Sequence, residues 1–135
     1  MREGEKMNKI LIIATTLTIL FFFTGCEKIH RYHYTGKWDF VVVYTSGDLN
    51  GWNSDTIYYS GKIRIGAVYN TLKIEYMEET KIMMEIDEDG GLSKDFEEPH
   101  EFASGQFYGN NHVEMAIGQM FLGGGYYYTI YGTKK

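Results

Sequence analysis

The sequence predicts an all-β protein, an antiparallel up-and-down meander of seven or eight strands closed as a barrel, with a β-sandwich as the alternative. Three observations predict it. Sixteen glycines and a single proline punctuate 135 residues. The runs between them are rich in β-branched and aromatic residues, 12 tyrosines included. Within those runs apolar and polar side chains alternate at period two, the spacing that puts one set on one face of a strand. A meander of short strands has two edges, and closing the sheet removes both.

Gly36-Lys37-Trp38-Asp39-Phe40 opens the first strand. Trp38, Phe40, Val42 and Tyr44 share one face, and Val41 and Val43 make the other apolar, which predicts cover on both sides. Thr45 to Asp55, rich in Gly, Asn, Asp and Ser, reads as a long loop with Trp52 in its middle. Thr56 to Gly66 is the clearest strand, Ile57, Tyr59, Ile63 and Ile65 alternating with Tyr58, Ser60, Lys62 and Arg64. After a turn near Asn70 come Leu72, Ile74 and Tyr76, and after Glu78-Glu79-Thr80 come Ile82, Met84 and Ile86. Apolar faces must match across a hairpin, because a slip of one residue turns every side chain over. Pairing Ile63 with Ile74 satisfies this and sets Lys62 opposite Glu75. Pairing Tyr76 with Ile82, Ile74 with Met84 and Leu72 with Ile86 also satisfies it.

Asp87 to Gly91 reads as a turn and Leu92 to Pro99 as an acidic loop. A three-residue loop Gly109-Asn110-Asn111, with Gly or Asn in the left-handed conformation, pairs Phe107 with Val113, Gly105 with Met115 and Ala103 with Ile117. Gly123-Gly124-Gly125 reads as a bend or loop, and Tyr126 to Gly132 as the last strand. An eighth strand is expected in Leu92 to Phe96 or Gln119 to Leu122.

The first 26 residues have a different character. Ile10 to Phe23 is an apolar run of 14, shorter than the roughly 20 residues that cross a bilayer. A short apolar run followed by small residues describes a secretory signal peptide. Met7-Asn8-Lys9 precedes it more cleanly than the glutamate-containing Met1 to Lys6, so Met7 is the expected initiator. Phe23-Thr24-Gly25-Cys26 resembles the lipobox of bacterial lipoproteins. That resemblance implies a signal peptide over residues 1–25, diacylglycerol on the thiol of Cys26, and a tether over 26–35 leading to a domain over 36–135. It also implies membrane attachment in the cell envelope. Glu27 is not the aspartate that resembles an inner-membrane retention signal, which favours the outer membrane. Several buried acyl CH₂ groups, each contributing about 0.8 kcal/mol, make such an anchor stable.

Residues 1–25 hold three of the 13 basic and two of the 18 acidic residues, so the remainder carries a formal charge of −6. That disfavours nucleic acid as a partner. No Gly-x-Ser-x-Gly, HExxH or GK[ST] occurs, and no two carboxylates are singled out as an acid and base. A non-catalytic protein without cofactor or metal is expected. Asp48, Asn50, Asn53 and Asp55 look like a calcium loop, but Trp52 and Asn53 occupy positions where a ligand and a glycine are required. His30 and His33 read as a solvated tether, and His112 falls on a polar face.

Gly36-Lys37-Trp38 resembles the Gly-x-Trp opening of lipocalins, and the strand order and the final Tyr-x-Ile-x-Gly-Thr extend the likeness. The resemblance implies a barrel with the tryptophan plugging its closed end and a small apolar or amphipathic ligand entering the open one. No arginine lies in the last strand to pack on Trp38; only Lys134 and Lys135 lie beyond it. Candidate ligand-binding residues are Trp38, Phe40, Tyr59, Tyr76, Met84, Phe107 and Met115. The alternative function is an accessory lipoprotein with a filled core that binds an envelope protein, through Trp52, Tyr127 and Tyr131. Tyr126, Tyr127 and Tyr128 must place aromatics on both faces of one strand.

Overall fold

A computed structural model describes residues 31–135; the predicted signal peptide and Cys26 lie outside them. The chain forms eight strands: β1 (Gly36–Asp48), β2 (Gly51–Ile65), β3 (Thr71–Met77), β4 (Thr80–Ile86), β5 (Gly91–Ser93), β6 (Glu101–Tyr108), β7 (His112–Phe121) and β8 (Gly124–Lys134). Each pairs antiparallel with the next, and β8 pairs back onto β1, so the sheet closes into an up-and-down barrel. This is the architecture expected of a lipocalin-like chain.

The registers show which predictions hold. The β6–β7 hairpin pairs Phe107 with Val113, Gly105 with Met115 and Ala103 with Ile117 as predicted, and Gly109 opens its three-residue loop at φ 63°. Ile63 faces Ile74, and Lys62 faces Glu75 with their charges 4.0 Å apart. The β3–β4 pairing is two residues away from the prediction: Leu72 faces Met84 and Ile74 faces Ile82. The turn closes on Met77 and Thr80, with Glu79 at φ 55°, and the register shifts between Glu75 and Met77. A shift of two keeps every side chain on its face, so the apolar pattern could not distinguish the two registers.

Thr45 to Asp55 is not a loop. β1 and β2 run to Asp48 and Gly51 and turn over Leu49-Asn50. Thr45–Asp48 of β1 lies between β2 and β8, and Gly51–Asp55 of β2 pairs with β1, so ladder bonds hold these polar residues extended. The triple glycine is likewise mostly strand, since β8 begins at Gly124. The eighth strand is Gly91–Ser93, and Gln119–Phe121 continues β7. Lys134 ends β8 directly opposite Trp38, so it lies within the last strand and not beyond it.

Among the described residues no second layer covers the outer face of β1. Val41 and Val43 are half-buried, and Val41 is flanked in the sheet by Tyr58 and Tyr131. The end of the predicted tether is docked rather than extended. Residues 31–35 form a turn, with Tyr34 N donating to Arg31 O and Thr35 N to Tyr32 O. Tyr34 is buried and stacks on Phe107 with 4.0 Å between ring centres, and its carbonyl accepts a hydrogen bond from Trp38 Nε1 at 2.9 Å. Lys134 Nζ donates to His33 O at 2.9 Å, which fastens the same segment to β8.

Candidate site at the open end of the barrel

In an up-and-down barrel alternate connections lie at opposite ends. Tyr34, Trp38 and the β2–β3, β4–β5 and β6–β7 turns close one end. The β1–β2, β3–β4, β5–β6 and β7–β8 connections surround the other.

The closed half is solid. Trp38, Val42, Leu72, Ile74, Met84, Val113 and Ile130 are wholly enclosed, which leaves no space beside them for a ligand. Of the predicted ligand-binding residues, Trp38, Phe40, Tyr76, Met84, Phe107 and Met115 are core. Phe40 lies against the bare backbone of Gly132: a Cβ there would stand 2.8 Å from the Phe40 ring and 2.6 Å from Val113 Cγ1. Tyr59 is half-buried and donates its hydroxyl to Glu75 Oε1 at 2.8 Å, which holds the Glu75 carboxyl below its ordinary pKa. Tyr76 alone of that set reaches toward the open half.

Register places the remaining inward side chains. Tyr44 on β1 faces Tyr128 on β8, and Tyr128 faces Ile117 on β7. One step outward, Ser46 faces Tyr126, and Tyr126 faces Gln119. The inward parity of β8 is fixed by Ile130 and Gly132 in the core, so Tyr126 and Tyr128 point in while Tyr127 and Tyr131 point out. Tyr128 is the centre of a cluster: its ring lies 5.0 Å from Tyr44, 6.2 Å from Tyr126 and 6.3 Å from Tyr76. The Tyr76 contact crosses the lumen. Tyr76 sits at the register shift of β3, and a bulge re-aims the side chain that it carries.

None of the four hydroxyls bonds to another described residue. Burial and the neighbouring phenols push the Tyr76 pKa up to about 12 and raise that of Tyr128. A phenol whose folded pKa lies above its unfolded value near 10 holds its proton more tightly when folded. The stability this supplies is complete below pH 10 and is lost as the pH climbs from about 10 to 12. A tyrosinate absorbance titration should therefore show a late-ionising class that shrinks in Tyr76→Phe. Ionisation of all tyrosines near pH 10 while the fold persists would contradict the buried placement of Tyr76.

The mouth is acidic. Asp55 lies opposite Tyr44 on the inner face, and half-buried Glu101 lies opposite Gln119. The β3–β4 turn adds Glu78 and Glu79, and the β5–β6 connection adds Asp95, Glu97 and Glu98. Lys94, the base in that connection, lies over the face of Phe96, 5.2 Å from the ring centre. Among the described residues no three His, Cys, Asp or Glu side chains converge as a metal site.

On the outer face, Trp52 rests on Gly47 and lies 6.4 Å from Tyr127, so two of the three predicted partner residues meet. Tyr131 is about 13 Å further along β8. The signals missed in the sequence were Tyr44, Tyr126 and Tyr128 as one inward set, and the exposed Leu49, Phe121 and Leu122 at the hairpin tips. With Trp52 these tips line a depression of about 470 Å³. Compared with known proteins, the chain matches no family model, no curated protein and no solved structure.

Proposed function

We propose that this chain is a non-catalytic envelope lipoprotein, held to the membrane through lipid on Cys26 and placed in the outer membrane, whose barrel binds a small amphipathic molecule at its open end. The tyrosine cluster carries the reading. Four phenol rings whose hydroxyls have no hydrogen-bond partner among the described residues line the open half, above a core with no room for a ligand. Rigid rings with a polar tip suit a ligand that is apolar along its length and polar at one end. The packed closed half shortens the site, so the ligand sits across the mouth instead of threading the barrel. Native mass spectrometry of the chain tests this by detecting a non-covalent passenger.

A second reading is favoured by the hairpin tips. Leu49, Trp52, Phe121 and Leu122 form an exposed apolar edge beside the mouth. Such an edge suits contact with an envelope protein, and it requires no ligand.

A further inference from the structure

We propose that the ligand's polar end is a cation, a protonated or quaternary ammonium group, held over the tyrosine faces of the open end. This rests on the ligand-binding reading above and names its chemical class. Two independent features of the molecule support it.

The first is the aromatic surface. A cation is attracted to the negative face of an aromatic ring within about 6 Å of its centre. Tyr44, Tyr126 and Tyr76 each lie within 6.3 Å of Tyr128, so four aromatic rings are gathered at the open end. Tyr76 is 4% exposed, and its hydroxyl has no partner among the described residues. Yet that oxygen is not sealed into the core: among the described residues the enclosed side-chain polar atom that lacks a bond is Arg31 Nε. The hydroxyl therefore opens toward the lumen, as a group that meets a ligand would.

The second is the sign of the charge around it. Asp55 on β2 and Glu101 on β6 face inward beside the cluster, on opposite sides of β1, β8 and β7. No lysine or arginine occupies an inward strand position in the open half; Lys134, at the end of β8, serves the closed end. The turns that rim the mouth add carboxylates, and Lys94 is already seated on Phe96. Acidic walls around a mouth raise the local concentration of cations and lower that of anions. A fatty acid would place its carboxylate among these groups, so the charge argues against the most familiar kind of amphiphile.

The same ten-carbon chain with three heads separates the possibilities: decyltrimethylammonium, decanol and decanoate. Each is titrated by calorimetry into the full chain in maltoside micelles, with protein-free micelles as the reference. The expected order is the cation about tenfold tighter than the alcohol, and decanoate weakest. Tyr128→Leu should weaken the cation about tenfold, more than Tyr128→Phe does, and Asp55→Asn should weaken it while leaving decanol unchanged. Thr129→Val, on the outer face of the same strand, should change nothing. Equal binding of cation and alcohol, or strongest binding of decanoate, overturns the cation and leaves the ligand site standing. No binding of any of the three overturns both.

Discussion

Trp38→Ala should lower the unfolding free energy by about 3–5 kcal/mol, the usual cost of truncating a fully buried tryptophan. Trp38 is wholly enclosed, nearly parallel to Phe40 and edge-on to Phe107 at 5.8 Å. Its Nε1 hydrogen bond to Tyr34 O helps to hold residues 31–35 under the barrel, with the Lys134–His33 bond. Alanine removes the ring, leaves a cavity and frees that carbonyl, and the Tyr34–Phe107 stack loses its support. Urea unfolding followed by far-ultraviolet circular dichroism measures the loss. For a domain of this size Tm should fall by at least about 12 °C. A loss below about 1 kcal/mol would mean that the tryptophan does not plug the closed end.

Gly132→Val should be nearly as damaging, at about 3 kcal/mol, for the opposite reason. The β8 backbone at Gly132 is covered by the Phe40 ring and Val113 Cγ1, both closer to the position of a Cβ than real contacts allow. Phe40 and Val113 are enclosed and cannot swing aside without opening β1 or β7. Overpacking of this kind costs about 1–3 kcal/mol and occasionally more. A double variant, Gly132→Ala with Phe40→Leu, should recover part of the loss, because the smaller side chain vacates the space. Recovery in the double variant would locate the damage at this contact. Full stability of Gly132→Val would show that the ring is not where the packing puts it.

These contacts also show what the sequence could and could not reveal. Period-two alternation identified the inward face of β1, β3 and β4, of β2 from Ile57 on, and of the β6–β7 hairpin, because one buried face leaves a strong imprint on residue type. It located the β6–β7 and β2–β3 registers, where turn chemistry or a Lys62–Glu75 pair supplied a second constraint. It failed at β3–β4, where the pairing lies two residues from the expected one and the faces are unchanged. It failed at Thr45 to Asp55, whose Gly, Asn, Asp and Ser residues favour a turn in isolation. Pairing of its two halves with each other, and of Thr45–Asp48 also with β8, makes that segment extended, and nothing local announces it. The candidate site was half legible. Alternation shows that Tyr126 and Tyr128 share a face with Ile130. Their meeting with Tyr44 follows from the β1–β8 closure, and that with Tyr76 from contact across the lumen. The packed state of the closed half depends on side-chain volumes in three dimensions, which is why Met84 and Met115 read as ligand contacts and proved to be core.

The most direct test of the ligand-binding reading is native mass spectrometry of the full chain released from maltoside micelles, compared with the same sample denatured. Covalent lipid on Cys26 would persist after denaturation, so it cannot be confused with a passenger. The expected result is a discrete extra mass that disappears on denaturation and is reduced in a Tyr126→Ser, Tyr128→Ser double variant. A bare native mass, unchanged after incubation with decyltrimethylammonium, decanol and decanoate, would contradict a ligand site at the mouth and leave the apolar hairpin tips as the functional surface.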